Sequence, residues 1–492
     1  MKTVYLKNFR KGFATNSSST HSVIYKNKDD MFKDLNIFEL DFYDRFDNTI
    51  AASKEAKIKY VAANIMWNEK LYEIMCAFYP DMKKYEEKIK KERKSHNEDF
   101  GMYARGSLYF PNSIYLEASI DYLRNIIEDD DIIIIGGSDE EDFVYCTKKN
   151  HEELPEADSI GIYDSTPKGV VKNGNYWVGY GYDGKIRFKT EKGKCIPFYP
   201  ELIDLCITKN CNHNCNFCYM NAGPNGKHAD IASLKRIIGY FSNGYGGRYN
   251  TRIEFSVGGG NVLLYPQLDE LFRFMYENGH IINTTINAKD CEMLLSDESI
   301  LNTFKQYVRG IGISISEDKD IEMLSKLNGT FVGDNYKDIV IHLIPEMLGV
   351  DKTREFIVKL KKYGYNRFLF LGYKTNGRGV TQKHVKLTKN DLDKLFDDLY
   401  CVSVDTTFAK TYDEWLNSNY ETEHTITKLE GEYSMYIDGV EGIAYKSSYQ
   451  LNKPYNINIG NYKDYNEKWF NPIDAFHRIR KDNGLENYEE NS

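Results

Sequence analysis

The sequence predicts an α/β fold: a parallel sheet curled into a full or partial barrel, an α+β domain before it and a small capping subdomain after it. Three observations carry this. From Leu202 onward, apolar runs alternate with helical patterns, and a strand, helix, strand order requires parallel pairing through right-handed crossovers. Three cysteines, Cys211, Cys215 and Cys218 in the run CNHNCNFC, share one loop directly after the first of these strands. A glycine run, Gly258, Gly259 and Gly260, follows the second strand, at the strand end where such sheets collect reactive residues.

Taken in order, the 492 residues suggest about three compact units. Residues 1–170 form the α+β domain, 171–200 a β-hairpin linker packing on the barrel, 201–405 the βα core and 406–492 the cap. In the first unit Leu116, Ile120, Leu123 and Ile127 share a helical face, and DIIIIGG at Asp131 to Gly137 signals a buried strand. KKYEEKIKKERK, Lys83 to Lys94, interleaves opposite charges and reads as a solvated helix. Near the start, GFATNSSSTHSVIY reads as a polar turn before a strand, or as a run of hydroxyls able to bind phosphate or be modified. NYWVGYGYDGKIRFKT then reads as a hairpin turning at Asp183-Gly184.

The core begins with strand Leu202 to Thr208, the cysteine loop, and a helix whose apolar positions Ile231, Leu234, Ile237 and Ile238 share one face. Strand Arg252 to Val257, helix Pro266 to Asn278, strand Ile281 to Ile286 and strand Gly310 to Ile315 follow. Strand Asp338 to Ile344, helix Lys352 to Tyr363, strand Arg367 to Leu371 and helix Leu392 to Tyr400 complete about six units. Pro266 stands at a helix start, and Gly279 and Gly364 follow helix ends. In the last unit EGEYSMYIDGVEGIAYKSSY gives two short strands around Asp438-Gly439, a metal-free cap or a docking surface for a partner protein.

Three thiolates at C-x3-C-x2-C spacing leave one coordination position open, which suits a four-iron cluster with a free iron. A zinc knuckle closed by Cys206 or His213 is the alternative. The loop resembles the signature of the radical S-adenosylmethionine (SAM) superfamily, with Phe217 in its aromatic position. The resemblance implies a partial (β/α)6 barrel, a [4Fe-4S] cluster on the three cysteines, and SAM chelating the free iron. It also implies reductive cleavage of SAM to a 5′-deoxyadenosyl radical that abstracts hydrogen from a substrate. Within it, Gly258, Gly259 and Gly260 would let the backbone approach the methionine moiety. Asn261 stands where an acidic residue is common. Asn287, Ser314 and Ser316, with Thr285, fall where contacts to carboxylate and ribose are made, and Ile344 beside the adenine. Lys374 and Arg378 in LGYKTNGRG could hold a substrate carboxylate or phosphate at the rim, or form a solvated turn.

His342, on an apolar strand, reads as a core residue. Cys206, Cys291 and Cys401 read as buried small hydrophobes, so no auxiliary cluster is expected after the loop. The net charge of −9 disfavours a nucleotide or RNA substrate and favours a peptide or protein. A cluster-bearing module without turnover is a further reading. No apolar run approaches the ~20 residues of a membrane span, and the charged start lacks the apolar core of a secretion signal. Free thiols beside a cluster suit a cytoplasmic, reducing compartment, with a flavodoxin or ferredoxin as the low-potential electron donor.

Overall fold

The computed structural model describes residues 193–241, 252–327, 329–331, 338–397, 399, 401–420, 422, 425–457 and 472–488. Before these it describes 5–11, 21–25, 50–51, 54–65, 69–87, 89–90, 120, 123–124, 127–128, 132–135, 143–146, 170–180 and 184–189. The hydroxyl run 16–20, the end of the charged segment at 91–94, Leu116 and the turn residue Asp183 lie outside the described residues.

The chain divides into two compact units. One takes Met1–Phe9, Asn27–Val171 and Tyr176–Cys195. In it DIIIIGG supplies strand Ile132–Ile135, paired antiparallel with Ile50–Ala51 and Phe143–Cys146, alongside helices Lys54–Ile65 and Glu69–Phe78. The expected hairpin is present as Tyr176–Tyr180 against Gly184–Lys189.

The other unit, Arg10–Lys26, Lys172–Asn175 and Ile196–Ser492, is mixed α/β around one sheet of eleven strands. In chain order these are β1 (His21–Tyr25), β2 (Leu202–Thr208), β3 (Glu254–Gly259), β4 (Ile281–Asn287), β5 (Val308–Ser314), β6 (Asp338–Leu343), β7 (Phe368–Phe370), β8 (Cys401–Asp405), β9 (Ser434–Asp438), β10 (Ile443–Tyr445) and β11 (Tyr455–Asn456). Side by side they run β11-β10-β9-β2-β3-β4-β5-β6-β7-β8-β1. From β9 to β8 every neighbouring pair is parallel. The edge strands β1, β10 and β11 pair antiparallel.

The parallel array therefore exceeds the six strands expected. Cys401 opens a further parallel strand, β8, whose five residues CVSVD are too short and too polar to announce themselves by periodicity. The C-terminal strands do turn after Asp438, but β9 is hydrogen-bonded along β2 from Ser434 to Asp438, so they belong to the sheet and do not stand apart as a cap. Parallel partners so distant in sequence share no turn that could reveal the pairing.

Strand side chains alternate between faces, and the two faces differ in chemistry. Ile203, Leu205 and Ile207, Phe255 and Val257, Ile311 and Ile313, Ile341 and Leu343 pack into one hydrophobic core with Leu234 and Ile237, Leu271 and Phe272, Phe356 and Leu360 of the helices. The intervening positions include Asp204, Ser256, Asn283, His342 and Asp405, all buried. Asp204, Ser256 and Asn283 stand in register on adjacent strands. A polar inner face thus lies beneath the strand ends that carry the site.

Candidate functional site

The cysteine loop is shaped by its own backbone. Two asparagines, Asn214 (φ 48°) and Asn221 (φ 53°), take the left-handed conformation that Asn tolerates better than other non-glycine residues. The amide of Cys218 donates to the carbonyl of Cys215 at 3.2 Å, and that of Cys211 to the carbonyl of Gly223 at 3.0 Å. Cys211, Cys215 and Cys218 are half-buried, and all three line one cavity of about 190 Å³.

The glycine run fits against this loop. The ladder between β3 and β2 shifts register between Gly258 and Gly259, and the amides of Gly260 and Asn261 donate to the carbonyls of Thr208 (2.6 Å) and Asn210 (2.8 Å). A Cβ on Gly259, at φ +116°, would stand 2.3 Å from the Thr208 oxygen and 2.6 Å from the Cys206 sulfur. One on Gly260 would stand 2.1 Å from the Asn210 oxygen. Only glycine permits so close an approach of backbone to backbone.

Asn261 has a more definite role than its position suggested. Its Oδ1 accepts from the Leu263 amide at 3.1 Å, capping the short turn Val262–Leu264. Its Nδ2 donates to Asn212 Oδ1 at 3.0 Å and to Asp290 Oδ1 at 2.9 Å. Asp290, 2% exposed, also lies 2.7 Å from His213 Nε2 through its other oxygen. Asn261, Asp290 and His213 all line the cavity. The acidic group absent at position 261 is thus present one strand further on. Neither Asp290 nor the cavity wall at His213 was legible in the sequence. Asp290 looks like an ordinary residue at the N-cap of the helix Cys291–Ser296, and only the fold brings it to Asn261.

Of the other expected residues, Phe217, Asn287, Ser314, Ile344 and Lys374 line the same cavity, as does Thr285. Ser316 does not. Its amide and hydroxyl both meet Asp320 Oδ2, at 2.6 and 3.4 Å, at the start of the helix Asp318–Leu327. Arg378 is also absent from the lining and instead donates to carbonyls of the cysteine loop. Lys374, 8% exposed, lies 3.3 Å from Asp405 Oδ2 and over the rings of Tyr219 and Tyr449, each 5.1 Å away. His342 is buried yet reaches the cavity. Burial, aided by the Lys374 charge, pushes its pKa down to about 3, so it stands neutral.

The three cysteines are the donor set that a four-iron cluster would use. Among the described residues no three His, Cys, Asp or Glu side chains converge as one metal ion would require. A four-iron cluster asks for thiolates that each bind a different iron. Burial, then the charges of Cys218 and Cys211, push the Cys215 thiol up, against Lys289 and Arg378. Burial raises that of Cys211 first, and Cys218 adds to it. Two thiols that resist ionising beside one another, Cys211 and Cys215, suit an electrophilic group that would take the charge. Of the two residues considered as a fourth zinc ligand, Cys206 is buried, which pushes its pKa up to about 12, and His213 meets Asp290 through Nε2.

No family model matches the chain, and no curated protein matches it significantly. Among solved structures it is similar to Streptococcus suis SuiB bound to precursor peptide SuiA, at 14% identity and a TM-score of 0.40 over 60% of this chain and 66% of that one. It is also similar to SuiB bound to S-adenosylmethionine, at 14% identity and 0.38 over 53% of this chain and 64% of that one. Native anSMEcpe with bound AdoMet follows at 12% identity and 0.37, over 58% and 83%. The first two alignments span less than two thirds of the SuiB chain, and likenesses this remote establish neither activity nor substrate here. Among the described residues no helix is long and apolar enough to cross a membrane.

Proposed function

We propose that the chain is a radical SAM enzyme acting on a peptide or protein, with a [4Fe-4S] cluster held by Cys211, Cys215 and Cys218. The observation that supports this reading best is that the three-cysteine loop, the glycine bulge of β3 and the polar ends of β4 and β5 line one cavity. Cys211, Cys215 and Cys218 would hold the cluster, which when bound and reduced would supply the electron for reductive cleavage of SAM and so the radical chemistry of hydrogen abstraction.

The protein's own residues bind, orient and exclude. Gly258, Gly259 and Gly260 line the wall where the methionine end would lie, the last two pressed against the backbone at the start of the cysteine loop, and Asp290, fixed by Asn261 and His213, offers its ammonium a buried carboxylate. Asn287, Ser314 and Thr285 present polar groups for the carboxylate and ribose, and Phe217 and Ile344 apolar surface for the adenine. Met220 and Leu371 add apolar lining, which keeps water from a reactive intermediate. Lys374, already paired with Asp405, offers the substrate a directed donor more than a net charge. The electron would come from a low-potential protein of the flavodoxin or ferredoxin type.

The test is 5′-deoxyadenosine formation by the anaerobically reconstituted chain with SAM and dithionite, beside C215A. Formation by the intact protein alone supports the reading. A chain that takes up no cluster, or that binds cluster and SAM yet forms no 5′-deoxyadenosine with any peptide offered, overturns it.

A further inference from the structure

The turn Gly377–Thr381 follows β7, far along the chain from the cysteine loop, yet it is fastened to that loop. Arg378 Nε donates to the carbonyl of Cys215 at 2.8 Å. Its Nη1 donates to the carbonyl of Ala222 at 2.9 Å and to Asn221 Oδ1 at 3.3 Å. The amide of the same residue donates to the carbonyl of Cys218 at 3.0 Å. Gly377, at φ +53°, comes so close that a Cβ there would stand 2.6 Å from the carbonyl oxygens of both Cys218 and Tyr219. One residue thus holds the carbonyls of two of the three cysteines and the chain just beyond them.

We propose that Arg378 is a positioning residue for the cluster: its fork ties Cys215 to the Asn221–Ala222 end of the loop, and its permanent charge favours the reduced cluster. The inference rests on the function proposed above. A guanidinium stays ionised at every working pH, and each acceptor it meets here is a neutral oxygen. Its charge is therefore not cancelled by these contacts. A cluster gains negative charge on reduction, so a cation held near its ligands raises its potential. Lysine can supply the charge but not the planar fork that reaches two carbonyls at once.

The test compares the full chain with R378K and R378Q after anaerobic reconstitution at limiting iron, reading iron and sulfide content and the cluster potential by redox titration followed by electron paramagnetic resonance. R378Q is expected to carry several-fold less cluster, and that cluster to titrate at a more negative potential. R378K is expected to restore the potential but not the content. Should R378Q fail to fold, the R378K content and potential decide. A cluster in R378Q with unchanged content and potential overturns this inference alone, as does an R378K potential no closer to the parent than that of R378Q. A parent chain with no cluster overturns the proposed function and this inference together.

Discussion

Asp290 shows how a single residue can carry chemistry that its sequence neighbours conceal. A carboxylate that is 2% exposed is costly unless its lone pairs are used, and Asn261 and His213 each occupy one oxygen. Both oxygens retain further acceptor capacity on the cavity side. D290N keeps the shape and removes the charge. Hydrogen bonds to charged groups contribute roughly 1.5–3 kcal/mol, so D290N is expected to weaken SAM binding at least about tenfold with cluster content unchanged, as read by equilibrium dialysis of the cluster-loaded chain. An unaltered affinity would remove Asp290 from the ammonium site. The cysteines themselves were legible because their spacing is local. Asp290 was not, because it reaches the cavity through the register of β3 and β4. Ser316 is placed differently: a hydroxyl after a strand end serves a ligand or the next helix equally well, and here its amide and hydroxyl meet Asp320 at the helix start.

At the scale of elements, local chemistry was legible wherever one face or one cap decided the outcome. The helix Ile231–Tyr240 buries Leu234, Ile237 and Ile238, and it starts where Asp230 accepts from the Ser233 amide at 2.8 Å. That cap holds the first turn after the cysteine loop, where the backbone donors have no helical partner. D230A is expected to lower stability by about 1 kcal/mol, read as a lower urea midpoint with unchanged slope; an unchanged midpoint would show that packing alone fixes this helix start. Strand β3 ends differently, in a bulge. G259A must relieve a contact with the Thr208 carbonyl at a φ that alanine avoids, so it is expected to cost about 1–3 kcal/mol and to reduce cluster uptake, measured by urea melts and iron content. Strand β8 escaped notice, and so did the place of β9 in the sheet, because their partners are supplied by the sheet and leave no trace in five-residue segments.

Across the second unit, the sheet separates an apolar outer face, which the apolar runs announced, from a polar inner face, which they did not. Short strands with mixed residues read as half-exposed, whereas here both faces are buried and the polar side is closed over. That inner face makes stability depend on pH in two opposed ways. His342 is pushed down to about 3, so below about 6.5 the unfolded chain binds a proton that the folded chain refuses, and stability is lost as pH falls through that window. Asp204 is pushed well up by burial, partly offset by Ser448 and Lys374, and Glu430 is raised by burial as well. A carboxyl raised in this way keeps a proton that the unfolded chain releases. Its contribution is present below the ordinary carboxyl pKa and is lost as pH rises toward the folded value, at up to about 1.4 kcal/mol for each pH unit. Between about pH 4 and 6.5 the histidine and the carboxyls oppose one another; above that only the carboxyls act. Among the described residues Asp204 Oδ2 has no hydrogen-bond partner, so asparagine can take the place of the neutral acid at little cost in contacts. D204N is therefore expected to gain stability relative to the parent as pH rises from 5 to 7.5, by urea midpoints at each pH. Parallel curves for the two chains would mean that Asp204 is ionised in the folded protein, with Lys374 shared between two carboxylates.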